Sequence, residues 1–131
     1  MITLTDARDL LKKAVDTQGP DFVYNPDGAY LCRYEPIPDD EGMRPEDPRS
    51  KTGCLVGVAL DIAGITAHHG FAGSVSGLAR EGLVRMEDEA VWYLGKAQYA
   101  QDRGTSWGDA LALAEASLER KPEPTKAVWL A

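Results

Sequence analysis

The stretch GCLVGVALDIAG, residues 53–64, constrains the fold most, because Asp61 is its sole charge. A helix that is apolar on nearly every side has no face suited to water, so it must lie centrally with other elements around it. Gly57 allows a neighbour to approach closely, and Gly64 ends the run. The remainder of the 131 residues has to supply amphipathic partners for it. A chain of this size buries about two-thirds of its unfolded surface as one domain. We read residues 1–121 as that domain and 122–131 as a C-terminal tail.

The flanking segments suggest what packs there. Thr3 suits an N-cap, with Asp6 three residues on, and Leu4, Ala7, Leu11, Ala14 and Val15 recur at helical spacing until Gly19 and Pro20. This predicts a helix over 5–18. In DFVYNPDGAYLCRY, Asn25, Pro26 and Gly28 suit a tight turn between β-branched or aromatic flanks. The prediction is a hairpin with strands at 21–25 and 29–34. Residues 35–50 hold four prolines and six carboxylates against two arginines, which predicts an exposed loop. A short helix over 74–81 closes at Gly82, and residues 83–86 are a brief strand or an extended link. A clearer helix begins with Asp88 as its cap and ends at Arg103 and Gly104; the next opens on Ser106 with Asp109 and stops before Pro122. Their short connection makes them an αα-hairpin. The expected class is therefore α+β: a small antiparallel β-hairpin packed on the buried central helix, with an N-terminal helix and a C-terminal αα-hairpin.

Composition limits function more than it assigns it. Fourteen basic against 21 acidic residues give a net charge of -7, an acidic balance that disfavours general adhesion to nucleic acid or anionic membrane. No apolar run approaches the ~18 residues needed to span a bilayer, and the N-terminus lacks the pattern of a signal peptide. These features point to the cytoplasm, where Cys32 and Cys54 would be reduced thiols. The αα-hairpin does not read as a DNA-binding helix-turn-helix, because its second helix offers Asp109, Glu115 and Glu119 before any base. P-loop, nucleophile-elbow and zinc-protease motifs do not occur.

Two sets of residues remain as candidate chemistry. Cys32, Cys54, His68 and His69 offer sulfur and nitrogen ligands of the kind zinc prefers, but each thiol stands alone rather than in a close pair. Cys54 would start a helix, where backbone N–H groups and the dipole favour a thiolate; with His68 and Asp61 it would begin a nucleophilic site. Against this, its apolar neighbours imply burial, which makes a thiol inert and leaves cysteine as a small core residue. Asp61 is read as lying on the one wet edge of the apolar helix, with Arg33 or Arg85 as a conceivable partner.

Tyr24, Asn25, Asp27, Gly28, Cys32, Tyr34, Gly53, Cys54, Val56 and Gly57, together with Gln101, Asp102, Gly104, Trp107 and Gly108, form a set that resembles a group of small uncharacterised proteins of actinobacteria and their phages. The resemblance runs from about Asp21 to Leu113. It implies an intracellular protein, and it transfers no catalytic residue or cofactor. Without a convergent catalytic set, the residues favour a cytoplasmic, non-enzymatic module that binds another protein or itself. Trp92, Tyr93, Tyr99 and Trp129 are the candidate binding residues, since interface anchors are enriched in Trp and Tyr. The alternative from another class is a thiol- or zinc-dependent enzyme centred on Cys54 with His68 or His69.

Overall fold

Thr3 closes a capping box with Asp6, and the helix that follows, α1 (Leu4–Gln18), buries Ala7, Leu11, Ala14 and Val15. The same start is held from a distance. Glu87 accepts the Leu4 N–H at 2.6 Å, Ile2 N donates to Arg85 O at 2.8 Å, and Glu87 N donates to Ile2 O at 2.9 Å. Residues 85–87 thus serve as an extended link that fastens the N-terminus, with one parallel bridge between Ile2 and Met86.

The computed structural model describes residues 1–24, 54–68, 71 and 73–119. After α1 come α2 (Leu55–Ile62), α3 (Val75–Arg80), α4 (Asp88–Asp102) and α5 (Trp107–Ser117). Ser74 caps α3 by accepting from Gly77 N, and Ser106 caps α5 by accepting from Asp109 N. Glu87, one residue earlier than expected, is the N-cap of α4 and leaves Asp88 and Glu89 in its first turn, where acidic groups suit the dipole.

The apolar helix behaves as its composition demands. Leu55, Val56, Gly57, Ala59 and Leu60 of α2 are buried, while Ile62 reaches the surface at its far end. It is not the organising centre, however. α4 packs against α5, α1, α3 and α2, and buries Ala90, Val91, Tyr93, Leu94, Ala97, Gln98, Ala100 and Gln101. α4 and α5 form the expected αα-hairpin, and Arg103 and Gly104 (φ +89°) turn the chain between them.

The α+β expectation is overturned. Helices hold 63% of the described residues, and there is no sheet among them. Residues 21–24, expected to open the first strand, make no strand pairing; 25–34, the rest of the hairpin, and the 35–50 loop lie outside the described residues, as does the 122–131 tail. The physical reason lies in where the backbone acceptors of this segment go. Pro20 O accepts from Gly108 N and Phe22 O from Trp107 N, both at 2.8 Å. These carbonyls satisfy the first N–H groups of α5, which have no acceptor inside their own helix. Phe22 meets the fully buried Trp107 edge to face, with ring centroids 4.7 Å apart. Phe22 here packs on a helix end instead of pairing in a sheet, a context that propensity does not encode.

This clamp explains Gly108. A Cβ there would stand 2.7 Å from Pro20 Cβ and 2.8 Å from Pro20 O, and a backbone atom cannot swing aside. Gly108→Ala should cost about 1–3 kcal/mol in urea unfolding despite the better helix propensity of alanine. Gly95→Ala, inside α4 with nothing within 4 Å of the added carbon, should gain about 0.5–1 kcal/mol. Equal effects of the two substitutions would disprove the clamp.

Candidate functional site

Cys54 is the N-cap of α2, and its side chain makes no cap hydrogen bond. The residue is fully buried and its sulfur is disulfide-bonded, contrary to the expected reduced thiol. A sulfur so engaged cannot act as a thiolate nucleophile. Cys32 is the chain's other cysteine, and it lies outside the described residues with His69. His68 and Asp61 do come together: Nε2 lies 2.9 Å from Asp61 Oδ1, with the imidazole fully buried and the carboxylate partly exposed. Asp61 is thus satisfied by a residue seven positions on in the chain. Cys54 and Asp61 mark opposite ends of α2, about 10 Å apart along its axis. No group of three or more His, Cys, Asp or Glu among the described residues is placed to hold a metal ion.

The start of α2 is held by two glutamines that sequence reasoning passed over. Leu55 N donates to Gln101 Oε1 at 2.9 Å, deep in the interior, so an amide from α4 does what the Cys54 side chain does not. Gln98 Nε2 lies 3.5 Å from Cys54 Sγ, while Gln98 Oε1 has no hydrogen-bond partner among the described residues. Gln101 Nε2 donates onward to Asp102 Oδ1 at 2.7 Å. Partial burial raises the Asp102 carboxyl to about 6, with the Gln101 hydrogen bond pulling the other way, although the residue itself reaches solvent. The visible signal was two amides three residues apart on a helix face otherwise lined by Ala, Val and Leu.

The four aromatic candidates separate. Tyr93 is fully buried; its hydroxyl donates to Glu115 Oε2 at 2.6 Å, and Arg8 holds the same carboxylate through Nε at 3.0 Å and a terminal nitrogen at 2.7 Å. It is a core residue and not a contact residue. Trp129 lies outside the described residues. Trp92 is half-buried, with Nε1 donating to Ser117 O at 3.2 Å and the Lys96 ammonium 4.3 Å from its ring centroid. Tyr99 is 63% exposed; the Arg103 guanidinium lies 5.1 Å from its ring and also donates to its hydroxyl at 3.1 Å.

Trp92, Lys96, Tyr99 and Arg103 are spaced four, three and four residues apart, so they form one stripe along the outer face of α4. The Trp92–Ser117 and Tyr93–Glu115 contacts set α5 antiparallel beside it. Four residues along α4 and four back along α5, Lys96 and Leu113 then reach the same level, and Leu113 is 50% exposed. The two cations were missed in the sequence, although an aromatic followed four residues later by Lys or Arg was there to be read twice. Exposed cation–π pairs of this kind are worth about 0.5–1 kcal/mol each, enough to bias the side chains without locking them.

A shallow cavity of about 300 Å³ lies apart from the stripe, lined by Ile2, Asp6, Asp9, Leu10, Ala63 and Ile65. No helix among the described residues is long and apolar enough to cross a membrane. No family model, curated protein or solved structure matches the chain.

The Arg8–Glu115–Tyr93 network joins α1, α5 and α4, and it sets a pH dependence. The Arg8 hydrogen bonds hold the Glu115 carboxyl below its ordinary value of 4.5, with Tyr93 adding to the effect, while burial and then Glu115 push the Tyr93 hydroxyl up. A carboxyl with a depressed folded pKa stabilises fully above its unfolded value, and that contribution fades as pH falls through the folded one. Glu115→Gln should therefore lower the thermal midpoint near neutrality by a constant amount, and the gap from wild type should narrow below about pH 4.5. The opposing titration of Asp102 is common to both proteins and cancels. A gap that widened on acidification would refute the assignment.

Proposed function

We propose that this chain is a small non-enzymatic protein-binding module whose contact surface is the outer face of α4 with the exposed edge of α5. The observation that carries the reading is the stripe Trp92, Lys96, Tyr99 and Arg103 beside Leu113. Single exposed apolar residues are ordinary on any protein, but this surface joins an aromatic ring, an aliphatic side chain and two cations in one strip. Trp, Tyr and Arg are the residues in which binding energy concentrates.

The inner face supports the same division of labour. α4 is fixed by its packing against the other four helices, so its outer face is presented rigidly and little order would be lost on binding. The thiol-enzyme alternative has its nucleophile engaged in a disulfide, although His68 and Asp61 do meet. An origin in actinobacteria or their phages belongs to the proposal. The expected cytoplasmic site of action belongs to it as well, set against a disulfide at a buried sulfur, which suits oxidising surroundings.

Affinity capture with two baits tests it: wild type, and a Lys96→Glu, Tyr99→Ala, Arg103→Glu variant whose thermal midpoint matches wild type. A protein retained by wild type and lost by the variant is the expected outcome. Partners held equally by both baits would place the contact elsewhere and defeat the reading.

A further inference from the structure

We infer that the segment received by this face is an acidic one, carrying two carboxylates about 10 Å apart with an apolar side chain between them; the inference rests on the protein-binding reading above. Arg103, the C-cap of α4, follows Lys96 by seven residues, close to two helical turns, which sets that separation. Tyr99 lies between them on the same stripe and exposed Leu113 stands level with Lys96 on α5, so an apolar side chain placed between the carboxylates would meet Tyr99.

Charge complementarity selects this occupant. Carboxylates outnumber cations 21 to 14 in the chain, yet among the described residues neither Lys96 nor Arg103 is in an ion pair. Arg8 and Lys13 hold Glu115 and Asp9 respectively; Lys12, Arg80 and Arg85 are likewise in no ion pair among the described residues, but none of these three stacks on a ring there. Lys96 and Arg103 are instead spread over the rings of Trp92 and Tyr99. A cation over a ring keeps outward-facing N–H donors, and the stack holds it near the position a partner carboxylate would need. Binding then costs less side-chain order than it would for two unconstrained cations.

The same surroundings disfavour a longer polyanion. Exposed Asp102 and Asp109 flank the α4–α5 turn beside Arg103, and the chain as a whole is acidic. A nucleic-acid strand would bring phosphates against these carboxylates, whereas a peptide with two spaced carboxylates touches only the cations. A helix bearing acidic residues two turns apart fits this spacing.

The test titrates the isotope-labelled full chain with capped helical peptides and follows its amide and indole resonances. One peptide carries two Glu residues two turns apart with a Leu between them; a second carries Gln in their place; an oligothymidylate is the third ligand. The inference predicts shifts confined to Trp92, Lys96, Tyr99, Arg103 and Leu113, with the Glu peptide binding at least about tenfold more tightly than the Gln peptide. That advantage should vanish in Lys96→Gln, Arg103→Gln, a variant that leaves the packed face of α4 untouched. Equal binding of the two peptides at this face would overturn the acidic preference while leaving the face a protein-binding surface. Absence of shifts with either peptide would overturn the inference, and the capture experiment would then decide the wider reading. Shifts with oligothymidylate alone would assign the face to nucleic acid, and shifts on raising the protein concentration alone would assign it to a second copy of the chain.

Discussion

The hydrogen bond from Leu55 N to Gln101 Oε1 carries more of this structure than its size suggests. An apolar helix can be buried at little cost along its length, because its backbone groups pair internally, but its first N–H groups cannot. Leaving one unpaired in the interior costs about 1–3 kcal/mol, a large share of the stability of a small domain. Cys54 offers no side-chain cap, so the acceptor has to come from another element, and α4 supplies it. The burial of α2 is thereby tied to the rotation of α4 about its axis. Once Gln98 and Gln101 face inward, Trp92, Lys96, Tyr99 and Arg103 must face out.

Other helix starts in the molecule are met by the same device of distant acceptors. Glu87 caps α1 from more than eighty residues away, and Pro20 and Phe22 offer their carbonyls to the first turn of α5. Such contacts, together with the Arg8–Glu115–Tyr93 network, join segments far apart in the chain. They account for an architecture in which short helices, several only two or three turns long, hold their places.

Local features were legible in the sequence and distant acceptors were not. The Thr3–Asp6 box, the Ser74 and Ser106 caps, the turn at Gly104 and the central burial of α2 all follow from residues within a few positions of one another. The hairpin reading failed in the described residues because β-branched and aromatic content around Phe22 marks a segment that packs, without saying whether it packs on a strand or on a helix end. Tyr93 and Tyr99 show the same limit at the candidate site. Both are tyrosines on α4 six residues apart, yet one is sealed in the core with Glu115 and the other stands in solvent with Arg103. Only the direction of the helix, set by its glutamines, distinguishes them. The redox state of Cys54 was likewise beyond composition, which constrains the compartment weakly and the pairing of sulfur not at all.

The claim that α4 fixes both the burial of α2 and its own exposed stripe can be tested by hydrogen exchange at a single amide. Leu55 begins a helix, a position whose N–H ordinarily exchanges fast for want of an acceptor. The account predicts that it exchanges as slowly as Tyr93 and Leu94 in the middle of α4, and that Gln101→Ala removes this protection. A Leu55 amide that exchanged at the rate of the exposed Gly104 turn in the wild-type protein would contradict it.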